Sequence, residues 1–219
     1  MTASLVVFDC DGVLVDTEVI MQRVDLDMVP RLGWPITLEE VHEHFLGRKS
    51  VQVVAAIEDR LGTPVPDGWA DERRSAYRAA CASDLRAVPG VVEAVAAIHE
   101  RGVLTCVASS GSHQAIRHSL GLTGLWPTFE GRVFSAHDVA RPKPAPDVFL
   151  HAAATLGIEP SSCVVVEDSP VGVRAAKAAG MRVIGYAGRT PEVLLDGADE
   201  VIREMAALLG ALGADSADG

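Results

Sequence analysis

A doubly wound α/β fold, with a Rossmann-like parallel sheet and an inserted all-helical unit, is predicted by three observations. Short apolar runs alternate with amphipathic segments. Most of those segments close on a glycine, and no strand-like run occurs between residue 17 and about residue 84. The first apolar run therefore precedes the insert and the other four follow it, which places the core at residues 1–16 and 85–219 and the insert at 17–84.

The elements follow in order. Leu5 to Phe8 is uninterrupted and apolar, as a strand covered on both faces requires. After the acidic loop Asp9–Thr17, residues 18–32 carry spaced apolar positions (Val19, Ile20, Val24, Met28) and predict a helix ending at Gly33. Thr37 with Glu40 forms a capping box for a short helix through Phe45. Beyond the loop Leu46-Gly47-Arg48-Lys49, Ser50 caps a helix that buries Val51, Val54, Ile57 and Leu61 and stops at Gly62. A Pro-rich loop and a longer helix to about Ser83 complete the insert.

The core resumes with a helix over 91–101 and the apolar strand Val103 to Ala108, which runs into Ser109-Ser110-Gly111. Ser112 caps the next helix. Arg132 to Phe134 predicts a short strand, and Arg141-Pro142-Lys143-Pro144 a loop before a helix from Asp147 to Leu156. Cys163 to Val166 is a buried strand ending in Glu167-Asp168-Ser169-Pro170, with the proline suited to the first turn of a helix. Arg182 to Tyr186 is the fifth strand, and two weaker helices follow.

Composition narrows the function. With 219 residues, 48% of them hydrophobic, the chain can bury a substantial core. A net charge of −11 argues against nucleic-acid or anionic-membrane partners. Four dispersed cysteines (Cys10, Cys81, Cys106, Cys163) form no CxxC pair and read as reduced thiols in a cytoplasmic protein. The start lacks a basic segment followed by a long apolar one, so no signal peptide is expected, and no run of 18 apolar residues suggests a membrane span. A soluble monomer is the default expectation.

In open parallel sheets, ligands bind beyond the carboxyl ends of the strands. Asp9 and Asp11 follow the first strand here, Ser109 and Ser110 the second, Lys143 the third, and Glu167 with Asp168 the fourth. Carboxylates at a buried strand end are costly unless they bind a cation, accept hydrogen bonds or do chemistry. Hard oxygen ligands suit Mg²⁺, which favours bridging to a phosphate. A carboxylate can attack phosphorus and form an aspartyl-phosphate. Asp9, nearest the strand, is the candidate nucleophile. Asp11 is the candidate acid and base, its proton affinity raised by neighbouring charge. The Ser109 hydroxyl and the Ser110 backbone can hold phosphoryl oxygens, and Lys143 can neutralise them.

Asp9-Cys10-Asp11-Gly12-Val13 with Asp16-Thr17, then Val107-Ala108-Ser109-Ser110, Lys143-Pro144 and Glu167-Asp168 resemble the four motifs of the haloacid dehalogenase-like (HAD) superfamily. The helical insert is similar to that superfamily's C1 cap, as in the β-phosphoglucomutase-like phosphatases. The resemblance implies a HAD-type core and a phosphatase acting on a small phosphorylated metabolite, such as a sugar phosphate, a phosphosugar acid or phosphoglycolate. It implies Asp9 as nucleophile and Asp11 as acid and base. It further implies Mg²⁺ held by Asp9, the Asp11 carbonyl and Asp168 with Glu167 in support, and phosphate held by Ser109 and Lys143.

Each motif has an ordinary reading in isolation: a turn, a helix cap or a solvated lysine. Their coincidence at one sheet edge does not. On the insert, Arg48 and Lys49 are candidate substrate contacts, because a closing cap needs a cation to meet an anionic substrate. His42 and His44, and the pair Arg73-Arg74, read as surface. A sugar phosphomutase is the rival reading. The family's mutases carry a histidine and a Lys…Arg pair where this chain has Met21, Leu46 and Ser50, which favours hydrolysis. A dehalogenase needs no second aspartate, so Asp11 argues against it. A receiver-type signalling domain would be about half as long and lack the insert.

Overall fold

The computed structural model describes residues 3–45, 48 and 50–213. It divides the chain into two compact units, residues 1–16 with 86–219, and residues 17–85.

The larger unit is built on a six-stranded, all-parallel sheet: β1 (Leu5–Phe8), β2 (Leu104–Ser109), β3 (Val133–Ser135), β4 (Cys163–Glu167), β5 (Arg182–Tyr186) and β6 (Glu200–Ile202). The spatial order is β3-β2-β1-β4-β5-β6. The winding direction reverses between β1 and β4, the place where such sheets open a crevice at their carboxyl edge. Register aligns that edge, with Phe8 level with Val107 of β2 and Val166 of β4, and Ser109 level with Ser135 of β3. All four residues of β1 are fully buried, as an uninterrupted apolar run requires at the centre of a covered sheet. One face packs Leu5, Val7, Cys106, Val165 and Val183 against Phe149, Ala152, Ala176 and their neighbours.

The smaller unit carries four helices, α1 (Thr17–Met28), α2 (Leu38–Phe45), α3 (Ser50–Leu61) and α4 (Trp69–Asp84). Its own core includes Val24, Met28, Trp34, Phe45, Ile57 and Trp69. The expected capping box at α2 is present, with reciprocal bonds between Thr37 and Glu40 at 2.9 and 3.2 Å. In the larger unit the helices are α5 (Val91–Glu100), α6 (His113–Leu122), α7 (Trp126–Phe129), α8 (Asp147–Thr155), α9 (Pro170–Ala178) and α10 (Leu208–Gly213). Among the described residues, no helix is long and apolar enough to cross a membrane.

Four details differ from expectation. The first insert helix ends at Met28 and tightens into a 3₁₀ turn over Val29–Leu32, because Pro30 removes a backbone donor. Helix α3 turns Val53 rather than Val51 to the core, leaving Val51 71% exposed. Arg73 is not a surface residue: it makes a bidentate pair with buried Asp25 at 2.5 and 2.8 Å. Finally, β6 occupies part of the segment read as weak helix. It has three residues and only Ile202 is buried, so it carries too little apolar pattern to announce itself.

Candidate active site

The chain leaves β1 as a tight, internally bonded turn. The Gly12 N–H donates to the Val15 carbonyl at 2.8 Å, and the Val15 N–H donates to the Cys10 carbonyl at 3.1 Å. The returning segment pairs with its far end: the Asp16 N–H bonds the Arg86 carbonyl, and the Val88 N–H bonds the Leu14 carbonyl, both at 3.0 Å. Asp9 is held at the base of the turn, its N–H donating to the Val166 carbonyl of β4 at 3.0 Å.

Lys143 reaches this point from the loop after β3. Its ammonium donates to Asp9 Oδ1 at 2.6 Å, to Glu167 Oε1 at 2.8 Å and to the Ala108 carbonyl at 3.1 Å. Three donors meet three acceptors, and the lysine side chain is only 4% exposed. Burial alone would depress the ammonium's proton affinity, but the facing Asp9 and Glu167 carboxylates outweigh it and hold the group above its usual range. Burial also pushes the Asp9 carboxyl up, to about 7, against the pull of Lys143 and with the help of Glu167 and Asp11. A cation at Asp9 would oppose that rise by stabilising the ionised form.

Glu167 lies at the end of β4 and is almost wholly buried. Its second oxygen, Oε2, accepts from the Ser169 N–H at 2.7 Å and from the Ser169 hydroxyl at 2.9 Å. Ser169 in turn caps α9 by accepting the Gly172 N–H at 3.0 Å. Both Glu167 oxygens are thus engaged, one by Lys143 and the other by Ser169. Its seat depends on Gly172, where an added Cβ would overlap the Glu167 carboxylate.

Asp168 turns the other way. Gly12 has φ +82°, and a Cβ built there would overlap the Asp168 carboxylate, so the β4 acid lies directly against the Asp11–Gly12 backbone. Among the described residues, no three His, Cys, Asp or Glu side chains form a ready-made metal cage. The donors present are instead the hard carboxylate oxygens of Asp9 and Asp168 beside a backbone turn. That set fits Mg²⁺, which takes one or two carboxylates and keeps several waters. Asp11 itself is exposed at the mouth of the turn.

At the end of β2, Ser109 is buried and its Oγ accepts the Gly111 N–H at 3.1 Å, while Ser110 is exposed. Two residues not singled out in the sequence brace this loop. The Ser135 hydroxyl donates to the Gly111 carbonyl at 2.6 Å and accepts the His137 N–H at 3.1 Å. Asp138 accepts the Ser135 N–H at 2.9 Å and meets His113 Nε2 at 2.8 and 2.9 Å. The signal was available in Ser135-Ala136-His137-Asp138, a capping-box spacing directly after a strand.

The structure thus brings Asp9, Lys143 and Glu167 into direct contact, and Asp168 against Gly12. Arg48, in the smaller unit, is exposed, with its N–H bonded to the Phe45 carbonyl at 3.0 Å. Lys49 lies outside the described residues.

Comparison with known proteins identifies the family. Residues 3–180 match the family model described as haloacid dehalogenase-like hydrolase. The 6-phosphogluconate phosphatase of Escherichia coli (strain K12) is 33% identical over 185 residues, spanning 83% of this chain and 81% of that protein. Hexitol phosphatase B of the same strain is 35% identical over 180 residues, with 81% of each chain covered. Among solved structures, a conserved haloacid dehalogenase-like protein of unknown function from Agrobacterium tumefaciens str. C58 superposes with a TM-score of 0.89 at 35% identity, covering 96% of this chain and 97% of that one. A match over most of the chain settles the family: this chain is a member of the haloacid dehalogenase-like hydrolases.

Proposed function

We propose that this hydrolase is a Mg²⁺-dependent phosphatase that releases phosphate from a small phosphorylated metabolite of the sugar-phosphate or phosphosugar-acid class. The reaction is phosphoric monoester hydrolysis. The observation that carries this reading is the clamp on Asp9: a buried carboxylate fixed at a strand end, with Lys143 at 2.6 Å to hold one oxygen and neutralise an approaching anion. The names of the two bacterial relatives, a 6-phosphogluconate phosphatase and a hexitol phosphatase, support the substrate class.

In the first step an Asp9 oxygen attacks phosphorus, the bond from phosphorus to the ester oxygen breaks, and Asp11 protonates the departing alcohol. In the second, Asp11 takes a proton from water. The water oxygen then attacks the phosphoryl group, the bond to Asp9 breaks, and inorganic phosphate leaves. Ser109 and the Ser110 backbone bind the phosphoryl oxygens, and Lys143 balances their charge. Asp9, Asp168 and the Asp11 carbonyl would hold Mg²⁺, whose contribution is to neutralise charge on the transferring group. Glu167 orients Lys143. Arg48 and Lys49 of the insert serve as substrate contacts, with the insert acting as a cap.

Hydrolysis is favoured over a mutase cycle by Met21, which stands where the phosphomutases of this superfamily carry a histidine. Four free, buried cysteines suit a reducing cytoplasm. The test is release of phosphate from an aryl phosphate ester. Activity requires Mg²⁺ and is abolished in Asp9→Asn; full turnover by that variant, or in excess chelator, refutes the mechanism. With β-glucose 1-phosphate as substrate, free phosphate outpaces glucose 6-phosphate, and the reverse order establishes the mutase.

A further inference from the structure

Behind the Asp11–Gly12 turn lies a cavity of about 420 Å³, walled entirely by the larger unit. Its volume falls within the range of small-molecule sites. Val88, Pro89 and Met205 give it an apolar side, and Gly12 and Asp16 connect it to the turn that carries Asp11. Tyr186, the last residue of β5, borders it. The tyrosine is 6% exposed and carries a phenol hydroxyl able both to donate and to accept a hydrogen bond. The loop that follows is fitted around this ring, since a Cβ at Gly188 would overlap the phenol oxygen.

The charged residues of the wall indicate what the cavity accepts. Arg189 is ion-paired with Asp16 at 3.0 Å, and Arg203 is paired with Glu192. Glu204 adds a further carboxylate to the same wall. An incoming anion would therefore meet the Glu204 carboxylate and two arginines already matched to acids. Burial raises the phenol's proton affinity, Asp16 adds to it, Arg189 opposes it, and Asp168 and Glu204 add again. A neutral phenol suits a ligand hydroxyl, which can likewise both donate and accept a hydrogen bond.

From these observations we propose that the cavity is a second binding site, separate from the phosphoryl site, for a small neutral polyol. The Tyr186 hydroxyl exchanges hydrogen bonds with a ligand hydroxyl, the carbon chain lies on Val88, Pro89 and Met205, and Arg189 and Glu204 supply rim contacts. Because Gly12 and Asp16 form part of the wall, an occupied site braces the turn that presents Asp11.

The test is amide NMR titration of the full chain with D-glucitol, D-gluconate and inorganic phosphate, a readout independent of any hydrolytic activity. D-glucitol should shift the Gly12, Gly90 and Gly188 amides saturably. Tyr186→Phe should weaken that binding roughly fivefold, the worth of one hydrogen bond. Ala206→Trp, which fills the cavity from an exposed position, should abolish it. Phosphate should shift Gly111 in all three proteins and serves as the check on folding. The proposal is overturned if D-glucitol produces no saturable shift, if both variants bind it as the unmodified chain does, or if gluconate or phosphate occupies these amides in preference.

Discussion

The Ser135 hydroxyl donates a 2.6 Å hydrogen bond to the Gly111 carbonyl, tying the end of β3 to the loop after β2 across 24 residues of sequence. Ser135 is fully buried, so removing its oxygen leaves a buried carbonyl without that donor. Ser135→Ala should lower stability by about 1–3 kcal/mol. It should also raise the inhibition constant for inorganic phosphate, as the Ser109–Gly111 loop loses its brace. Thermal unfolding and phosphate competition measure the two effects, and unchanged phosphate inhibition would separate Ser135 from the site.

Glu167 and Asp168 are adjacent in sequence and face different partners. Glu167→Gln keeps the shape but weakens the hold on Lys143, so kcat should fall by about tenfold or more, as expected for a charged hydrogen bond. The Mg²⁺ concentration for half-maximal rate should move little. Asp168→Asn should raise that concentration strongly. Metal titrations of initial rate distinguish them, and equal shifts in both variants would return Glu167 to the metal.

Gly172→Ala should reduce activity severely, because its Cβ overlaps the Glu167 carboxylate, whereas Gly121→Ala should be neutral or mildly stabilising. Gly121 sits in a helix with open space around it. The expected gain there is about 0.5–1 kcal/mol. Rate and melting temperature for the two variants check the contrast.

The buried Asp25–Arg73 pair offers a test confined to the smaller unit. Arg73→Met leaves an isolated carboxylate and should cost about 3–5 kcal/mol, while pairing it with Asp25→Leu should recover much of the loss. A double-mutant cycle by denaturant unfolding measures the coupling.

Asp138 provides a prediction in pH. Burial would raise its carboxyl, but the Ser135 N–H, the His113 hydrogen bond and the neighbouring histidine charge together bring it below its usual 3.8. A depressed folded value stabilises the protein above the unfolded value and loses that contribution as pH falls through the folded one. Asp138→Asn should therefore lose stability near neutral pH and show a smaller further loss below about pH 3.8 than the unmodified chain. Unfolding midpoints across an acid series report it.

Much of the architecture was legible because it rests on local pattern. Leu5–Phe8 and Cys163–Glu167 are apolar runs ending in acids, and Ser112 and Ser169 cap the helices that follow. Contacts between distant residues were not legible. Lys143 meets Asp9 across 134 positions and Arg73 meets Asp25 across 48, so neither charge state nor burial follows from spacing. The contacts of Glu167 were hidden for the same reason, since one of its oxygens meets a lysine 24 residues upstream. The strand β6 escaped because a half-buried edge strand of three residues has no periodicity to read.

The three hydrogens of the Lys143 ammonium are already committed, to Asp9, Ala108 and Glu167. A phosphorylated substrate that reaches this lysine must take over a contact rather than add one, so arrival there is an exchange of partners with little net gain. On the proposed mechanism the resting clamp would therefore keep the ground-state complex shallow. Its full electrostatic strength would be released only as Asp9 gives up negative charge to phosphorus, reserving tight holding for the moment of transfer.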